Sequence, residues 1–139
     1  MRILILGASY GSLLSTKLLM AGHDVTLICR RNSADLINSE GTEVRIKLRD
    51  EDEHRSFFSK DLPGQVNAVT PEEAKPEEYD MIALAMQEPQ YSSGPVRDLM
   101  TRIAASRKPC LSIMNMPPLP YLKRIPALAA MNLENCFDD

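Results

Sequence analysis

Three cysteines and two histidines are all that 139 residues provide for sulfur or imidazole chemistry. Cys29, Cys110 and Cys136 are widely spaced, so neither a disulfide framework nor a zinc-ligand pattern can be assembled, and reduced thiols in a cytoplasmic protein are the simplest reading. Long apolar runs are missing too. None reaches the ~18 residues that a membrane-spanning helix needs. Met1-Arg2 and the apolar residues after it look superficially like a secretory leader, but Gly7, Ser9, Gly11, Ser12, Ser15 and Lys17 interrupt the run. A basic excess is absent: 16 Lys and Arg against 19 Asp and Glu give a net charge of −3, which argues against a general nucleic-acid binder. With 44% apolar and 25% charged residues the composition is that of a globular domain, and the length suits one such domain.

One more absence bears directly on function. In LILGASYGSLLS (residues 4–15) the glycines are Gly7 and Gly11, with Ser9 where the second glycine of the dinucleotide fingerprint G-x-G-x-x-G would stand. The turn is one residue short of that pattern. An incomplete fingerprint is compatible with a phosphate-binding turn and equally with an ordinary strand-to-helix bend.

The order of elements favours the first. RILIL (residues 2–6) reads as a buried parallel strand ending at Gly7. From Tyr10 to Ala21 a helix is expected, with Leu13, Leu14, Leu18 and Met20 apolar, Lys17 toward solvent and Gly22 as its stop. DVTLIC (residues 24–29) follows as a second strand, completing a βαβ unit within ~30 residues. Asn32 or Ser33 is suited to cap a short helix ending near Asn38. TEVRIKLR (residues 42–49) alternates, with Val44, Ile46 and Leu48 on one face, and HRSFF (residues 54–58) can return beside it beyond the acidic DEDE turn.

QVNAV (residues 65–69) reads as a third core strand, and Thr70-Pro71-Glu72-Glu73 has capping-box spacing for a short helix before Pro76. MIALAM (residues 81–86) is apolar on both faces. A helix from Pro95 presents Val96, Leu99, Met100, Ile103 and Ala104 on one side, and CLSIM (residues 110–114) gives another central strand. Strands alternating with helices predict an α/β fold, a doubly wound, mostly parallel sheet with an antiparallel hairpin attached.

In such a sheet the start of the first helix offers unpaired N–H groups and a positive dipole end to a phosphate. Gly7 permits the turn; Gly11 allows close helix–strand packing or near approach of a ligand; Ser9 can donate its hydroxyl. Tyr10 lies in the turn, where its ring can cover a bound pyrophosphate or pack outward. After the second strand comes Arg30-Arg31-Asn32-Ser33 with no acid, and arginine there accommodates the 2′-phosphate of NADP where a carboxylate would take the ribose of NAD. Met81, Met86, Met100, Met114 and Met116 fall at core or strand-end positions, His23 suits a turn, His54 belongs to the hairpin, and Lys123 and Glu134 read as surface residues.

MRILILGASYGSLLSTKLLMAGHDVTLICRR resembles the start of the ketopantoate reductases (2-dehydropantoate 2-reductases). YDMIALAMQEPQ is similar to the family's fourth-strand segment, and CLSIMN to a fifth strand ending in asparagine, so the resemblance covers residues 1–116. It implies a Rossmann-type NADP-binding domain over 1–116 and a proline-rich linker over 117–139 leading to a helical domain outside this chain. By the same resemblance Gly7, Ala8, Ser9, Tyr10 and Gly11 hold the pyrophosphate, and Arg30, with Arg31 and Ser33 nearby, holds the 2′-phosphate. Met86, Gln87 and Gln90 line the adenosine or nicotinamide side, and Asn115 is the catalytic-site residue near nicotinamide and substrate. Gln87 stands where the family usually has lysine, and Met116-Pro117-Pro118 replaces a glycine-rich continuation.

The implied activity is hydride transfer from NADPH to a small 2-oxo acid or related ketone. The catalytic lysine and the acidic substrate-binding residue of full members match no position here, so this chain is expected to be a fragment or truncated member that binds nucleotide but turns over poorly. Two other readings stay open: a noncatalytic nucleotide-sensing or interaction module, and part of an opine- or hydroxy-acid-type dehydrogenase. Apolar surface left by an absent domain would favour a homo-oligomer.

Overall fold

The computed structural model describes residues 1–47, 49, 52–113 and 123–128. Its elements in chain order are β1 (Arg2–Leu6), α1 (Ala8–Met20), β2 (Asp24–Ile28), α2 (Arg31–Glu40), β3 (Glu43–Lys47), β4 (His54–Phe58), β5 (Val66–Val69), β6 (Met81–Leu84), α3 (Gly94–Ser106) and β7 (Cys110–Ser112). Five strands form one parallel sheet in the order β5-β2-β1-β6-β7. From β1 the chain first steps outward to β2 and β5, then returns to β6 on the other side. The direction of winding therefore reverses between β1 and β6, where open α/β sheets leave a crevice at the carboxyl ends of their strands.

The two-residue period of β1 explains the layering. Ile3 and Ile5 pack with Leu19 of α1 and Ala34 of α2, while Leu4 and Leu6 point the other way, toward Leu99 and Ile103 of α3. Helices thus cover both faces, and the strand is apolar throughout because neither face meets water. Leu4, Ile5 and Leu6 are each 0% exposed, and burial of such side chains stabilises by roughly 1.5–3 kcal/mol apiece. β3 and β4 form a separate antiparallel pair with Val44 opposite Phe57, as the alternation in the sequence predicts. Leu48, Asp50 and Glu51 lie outside the described residues.

Five local expectations are corrected. The buried face of α1 is Gly11, Ser15, Thr16 and Leu19, whereas Leu13 and Met20 are exposed. Small residues form this seat because the helix rests almost on β1. A Cβ added at Gly11 would stand 2.7 Å from Ile5 Cγ2. The second helix begins at Arg31, with Arg30 rather than Asn32 or Ser33 at its cap, and runs to Glu40.

Thr70-Pro71-Glu72-Glu73 forms a turn without a helix, although Glu73 does reach back to Thr70 N at 3.0 Å. Pro76 accounts for this, since it disfavours helical geometry at Lys75, whose φ is −119°. β5 is an edge strand, and Asn38 of α2 completes its ladder: Asn38 Nδ2 donates to Ala68 O, and Ala68 N donates to Asn38 Oδ1, both at 2.8 Å. β7 is likewise an edge and is exposed along its length, not central. Met114 lies outside the described residues, as do 117–122 and 129–139 of the proline-rich segment, within which Pro126–Leu128 forms a 3-10 turn. No helix among the described residues is long and apolar enough to cross a membrane.

Candidate functional site

A cleft of about 1140 Å³ opens at the carboxyl ends of β5, β2, β1 and β6. Gly7 forms its floor, with φ 105° and ψ 107°. A Cβ at Gly7 would approach the Ala85 carbonyl oxygen and Met86 Cγ to 2.7 Å, so glycine is required both by the left-handed φ and by the closeness of the chain leaving β6. The turn is tied down by Gly7 N donating to Ile28 O at 3.1 Å, and α1 opens with Gly11 N donating to Gly7 O at 3.0 Å. The N–H groups of Ala8, Ser9 and Tyr10 precede that first helical bond, no side chain caps them, and the first turn carries no acid. A positive dipole end thus faces the cleft.

Of the residues assigned to cofactor binding, Gly7, Ala8, Ser9, Tyr10, Arg30, Arg31, Ser33, Met86, Gln87 and Gln90 all line this one cleft. Gly11 does not. It is buried beneath, against Ile5, and serves helix–strand packing. Asn115 lies outside the described residues. The shortened fingerprint is therefore resolved by position: Gly7 makes the turn, Ser9 occupies the rim where a second glycine would be, and Gly11 takes the packing role one residue early.

At the β2 end the two arginines differ. Arg30 is exposed, and its side chain makes no hydrogen bond or ion pair among the described residues. Arg31 Nη2 lies 2.6 Å from Glu73 Oε1, while Glu73 Oε2 accepts from Thr70 N at 3.0 Å and from Thr70 Oγ1 at 3.2 Å. The hydrogen bond from Arg31, followed by that from the Thr70 N–H, holds the Glu73 carboxyl below the usual carboxylate range. The same contact raises Arg31 above its ordinary value, so both groups are charged. Burial pushes the Cys29 thiol on this wall up.

At the β6 end, Gln87 and Gln90 cap one another around the 3-10 turn Glu88–Ser92, with Gln87 N donating to Gln90 Oε1 at 3.0 Å. Gln87 Nε2 is then directed to the Tyr10 hydroxyl, 2.6 Å away. Met86 N donates to the Tyr91 hydroxyl at 3.3 Å. Tyr10 is 63% exposed, so its ring stands at the mouth, held by its hydroxyl.

Residue-by-residue reading missed the Thr70 and Glu73 contribution, having assigned that spacing to a helix cap, and it missed Val96 and Pro95 of α3, which complete the wall. The Gln87–Gln90 pair was legible as two glutamines three apart bracketing Pro89. Nothing in the sequence places Glu73 opposite Arg31, because that contact spans 42 residues.

The family model for ketopantoate reductase PanE/ApbA matches residues 3–115. Among solved structures, the chain is similar to a probable 2-dehydropantoate 2-reductase panE from Bacillus subtilis, with 21% identity, a TM-score of 0.61, and coverage of 90% of this chain and 38% of that one. A putative ketopantoate reductase from Ralstonia solanacearum MolK2 matches with 21% identity and a TM-score of 0.56, covering 88% of this chain and 34% of that one. A 2-dehydropantoate 2-reductase from Methylococcus capsulatus matches with 17% identity and a TM-score of 0.55, covering 94% and 37%. Comparison with curated protein sequences gives no significant match. The chain spans little more than a third of the length of these solved relatives, and at such identities they establish the fold. With the family model matched over most of its length, this chain belongs to the ketopantoate reductase PanE/ApbA family.

Proposed function

We propose that this chain is the dinucleotide-binding part of an oxidoreductase that uses NADPH to reduce a small 2-oxo acid or related ketone. The observation that carries this reading is the coincidence, in one cleft at the reversal point of the sheet, of an uncapped helix start, a glycine floor and an Arg30 side chain with no partner among the described residues. The chemistry of the cleft supports this reading. The N–H groups of Ala8, Ser9 and Tyr10 and the Ser9 hydroxyl are donors for a pyrophosphate, and nothing acidic stands beside them in the first turn. Arg30, reaching from the end of β2, is the ligand for a 2′-phosphate. Met86, Gln87 and Gln90 border the opposite end.

When bound, the nicotinamide supplies the hydride. The chain's own residues bind and orient. Gly7 lets the backbone come close enough to hold the pyrophosphate, Arg30 anchors the adenosine end, and Tyr10 with Gln87 closes the mouth against water. The catalytic lysine implied by the family resemblance is assigned to no residue here, so the role of this chain in the reaction is to present the cofactor.

Calorimetric titration with NADPH and NADH, on the wild type and on Arg30→Ala, tests this. Loss of a charge-assisted hydrogen bond costs about 1.5–3 kcal/mol, so NADPH affinity is expected to fall roughly ten- to a hundredfold while NADH affinity moves little. Failure of the wild type to bind either nucleotide would refute the reading.

A further inference from the structure

A carboxylate is the ordinary partner of a dinucleotide's ribose 2′-hydroxyl, and it normally comes from the end of the second strand. Here that position is arginine, yet of the two carboxylates that line the cleft, Glu72 and Glu73, the second stands against Arg31. It arrives from elsewhere, on the turn that follows β5.

Glu73 is fixed at both oxygens. Oε1 accepts from Arg31 and Oε2 from the N–H and hydroxyl of Thr70. The turn carrying it is pinned from behind, because the Arg102 guanidinium of α3 donates to the carbonyl oxygens of Pro71 and Ala74. Glu73 is exposed, but three hydrogen bonds hold its negative charge in place. Arg31 is committed to it, while Arg30 next door is not committed to anything among the described residues.

A 2′-phosphate dianion drawn in by Arg30 would meet this carboxylate and find Arg31 already paired. A 2′-hydroxyl meets an acceptor in the same place. Resting on the dinucleotide reading above, we propose that Glu73 is a specificity-determining residue: by occupying Arg31 it restrains the preference of the site for a 2′-phosphate and admits NADH beside NADPH. The site combines an arginine suited to one cofactor with a carboxylate suited to the other, on two different strands' ends.

The test is a double-variant cycle read by equilibrium binding. NADPH and NADH affinities are measured by calorimetry for the wild type, Glu73→Gln, Arg31→Gln and the combination of the two. Glutamine keeps an oxygen for Thr70 to donate to, so the turn is retained. Glu73→Gln is expected to raise the NADPH-to-NADH affinity ratio about tenfold, the scale of freeing one charge-assisted donor, and the combined variant is expected to lose that gain. Adenosine 2′,5′-bisphosphate against adenosine 5′-monophosphate must follow the same ratio, because only the adenosine end differs. An unchanged ratio in Glu73→Gln, or a gain that survives without Arg31, would overturn the role of Glu73 and leave nucleotide binding standing. If the wild type binds neither dinucleotide, the proposed function and this inference fall together.

Discussion

Gln87 and Tyr10 are hydrogen-bonded side chain to side chain at 2.6 Å, which joins the loop after β6 to the first turn of α1 across the mouth of the cleft. On the proposed reading, a tie in that position restricts passage of the nucleotide in both directions. Tyr10→Phe removes the hydroxyl and keeps the ring, so entry and release of NADPH should both quicken by a few-fold, about the value of one neutral hydrogen bond, with Kd changing less than either rate. Stopped-flow fluorescence of NADPH measures both rates. Equal rates in the two proteins would mean that the tie does not gate the cleft.

Gly7 and Gly11 separate by function when stability and nucleotide affinity are both measured. Gly11→Ala drives a methyl into Ile5 Cγ2, at 2.7 Å from the ideal Cβ position. Overpacking of this kind costs about 1–3 kcal/mol, offset by the ~0.5–1 kcal/mol that alanine gains over glycine within a helix. Thermal unfolding should therefore move to lower temperature while the folded fraction keeps its nucleotide affinity. Gly7→Ala, at φ 105° and against the Ala85 carbonyl, should impair both stability and affinity. A Gly11→Ala protein that folds normally but no longer binds would place Gly11 at the ligand after all.

The layering was legible in the sequence because β1, β2 and β6 are short, apolar on both faces and separated by recognisable helices. The face of α1 was not. Leucine periodicity points to Leu13 and Met20, but a helix held this close to its strand seats glycine and serine and turns those larger side chains outward. The same limit hid half of the cleft's β2 end. Arg30 and Arg31 could be found by counting from Gly7, since they follow β2 directly. Their unequal roles depend on Glu73, and long-range pairing leaves no local periodicity to read. Pro76 likewise defeated the capping-box expectation by acting on a residue outside that motif.

Leu4 and Leu13 provide a direct check on the layering. Leu4 is 0% exposed and Leu13 is 46% exposed. Leu4→Ala should destabilise by about 2–5 kcal/mol, whereas Leu13→Ala should stay within roughly 0.5 kcal/mol. Urea unfolding of the two variants measures the difference. Comparable losses would mean that α1 is rotated from the orientation described.

The Thr70–Glu73–Arg31 link should depend on pH in one direction only. Its carboxyl is held below the usual range, first by Arg31 and then by the Thr70 N–H. A folded value below the unfolded one means that the link contributes above the unfolded value and is lost as pH falls through the folded one. Carbon-13 titration of the Glu73 carboxyl should give a midpoint below that of ordinary glutamates, and Arg31→Gln should move it upward. A midpoint indifferent to Arg31→Gln would assign the effect to Thr70 alone.

Asn38 has a consequence beyond the fold of one chain. Its amide offers Ala68 one donor and one acceptor, the same pair that a sixth strand would present, so the outer border of β5 is already occupied at that residue by a side chain of the same molecule. A polymerising neighbour would have to evict Asn38 before it could pair with Ala68, so strand addition is opposed at that residue without a charge or a proline on the edge.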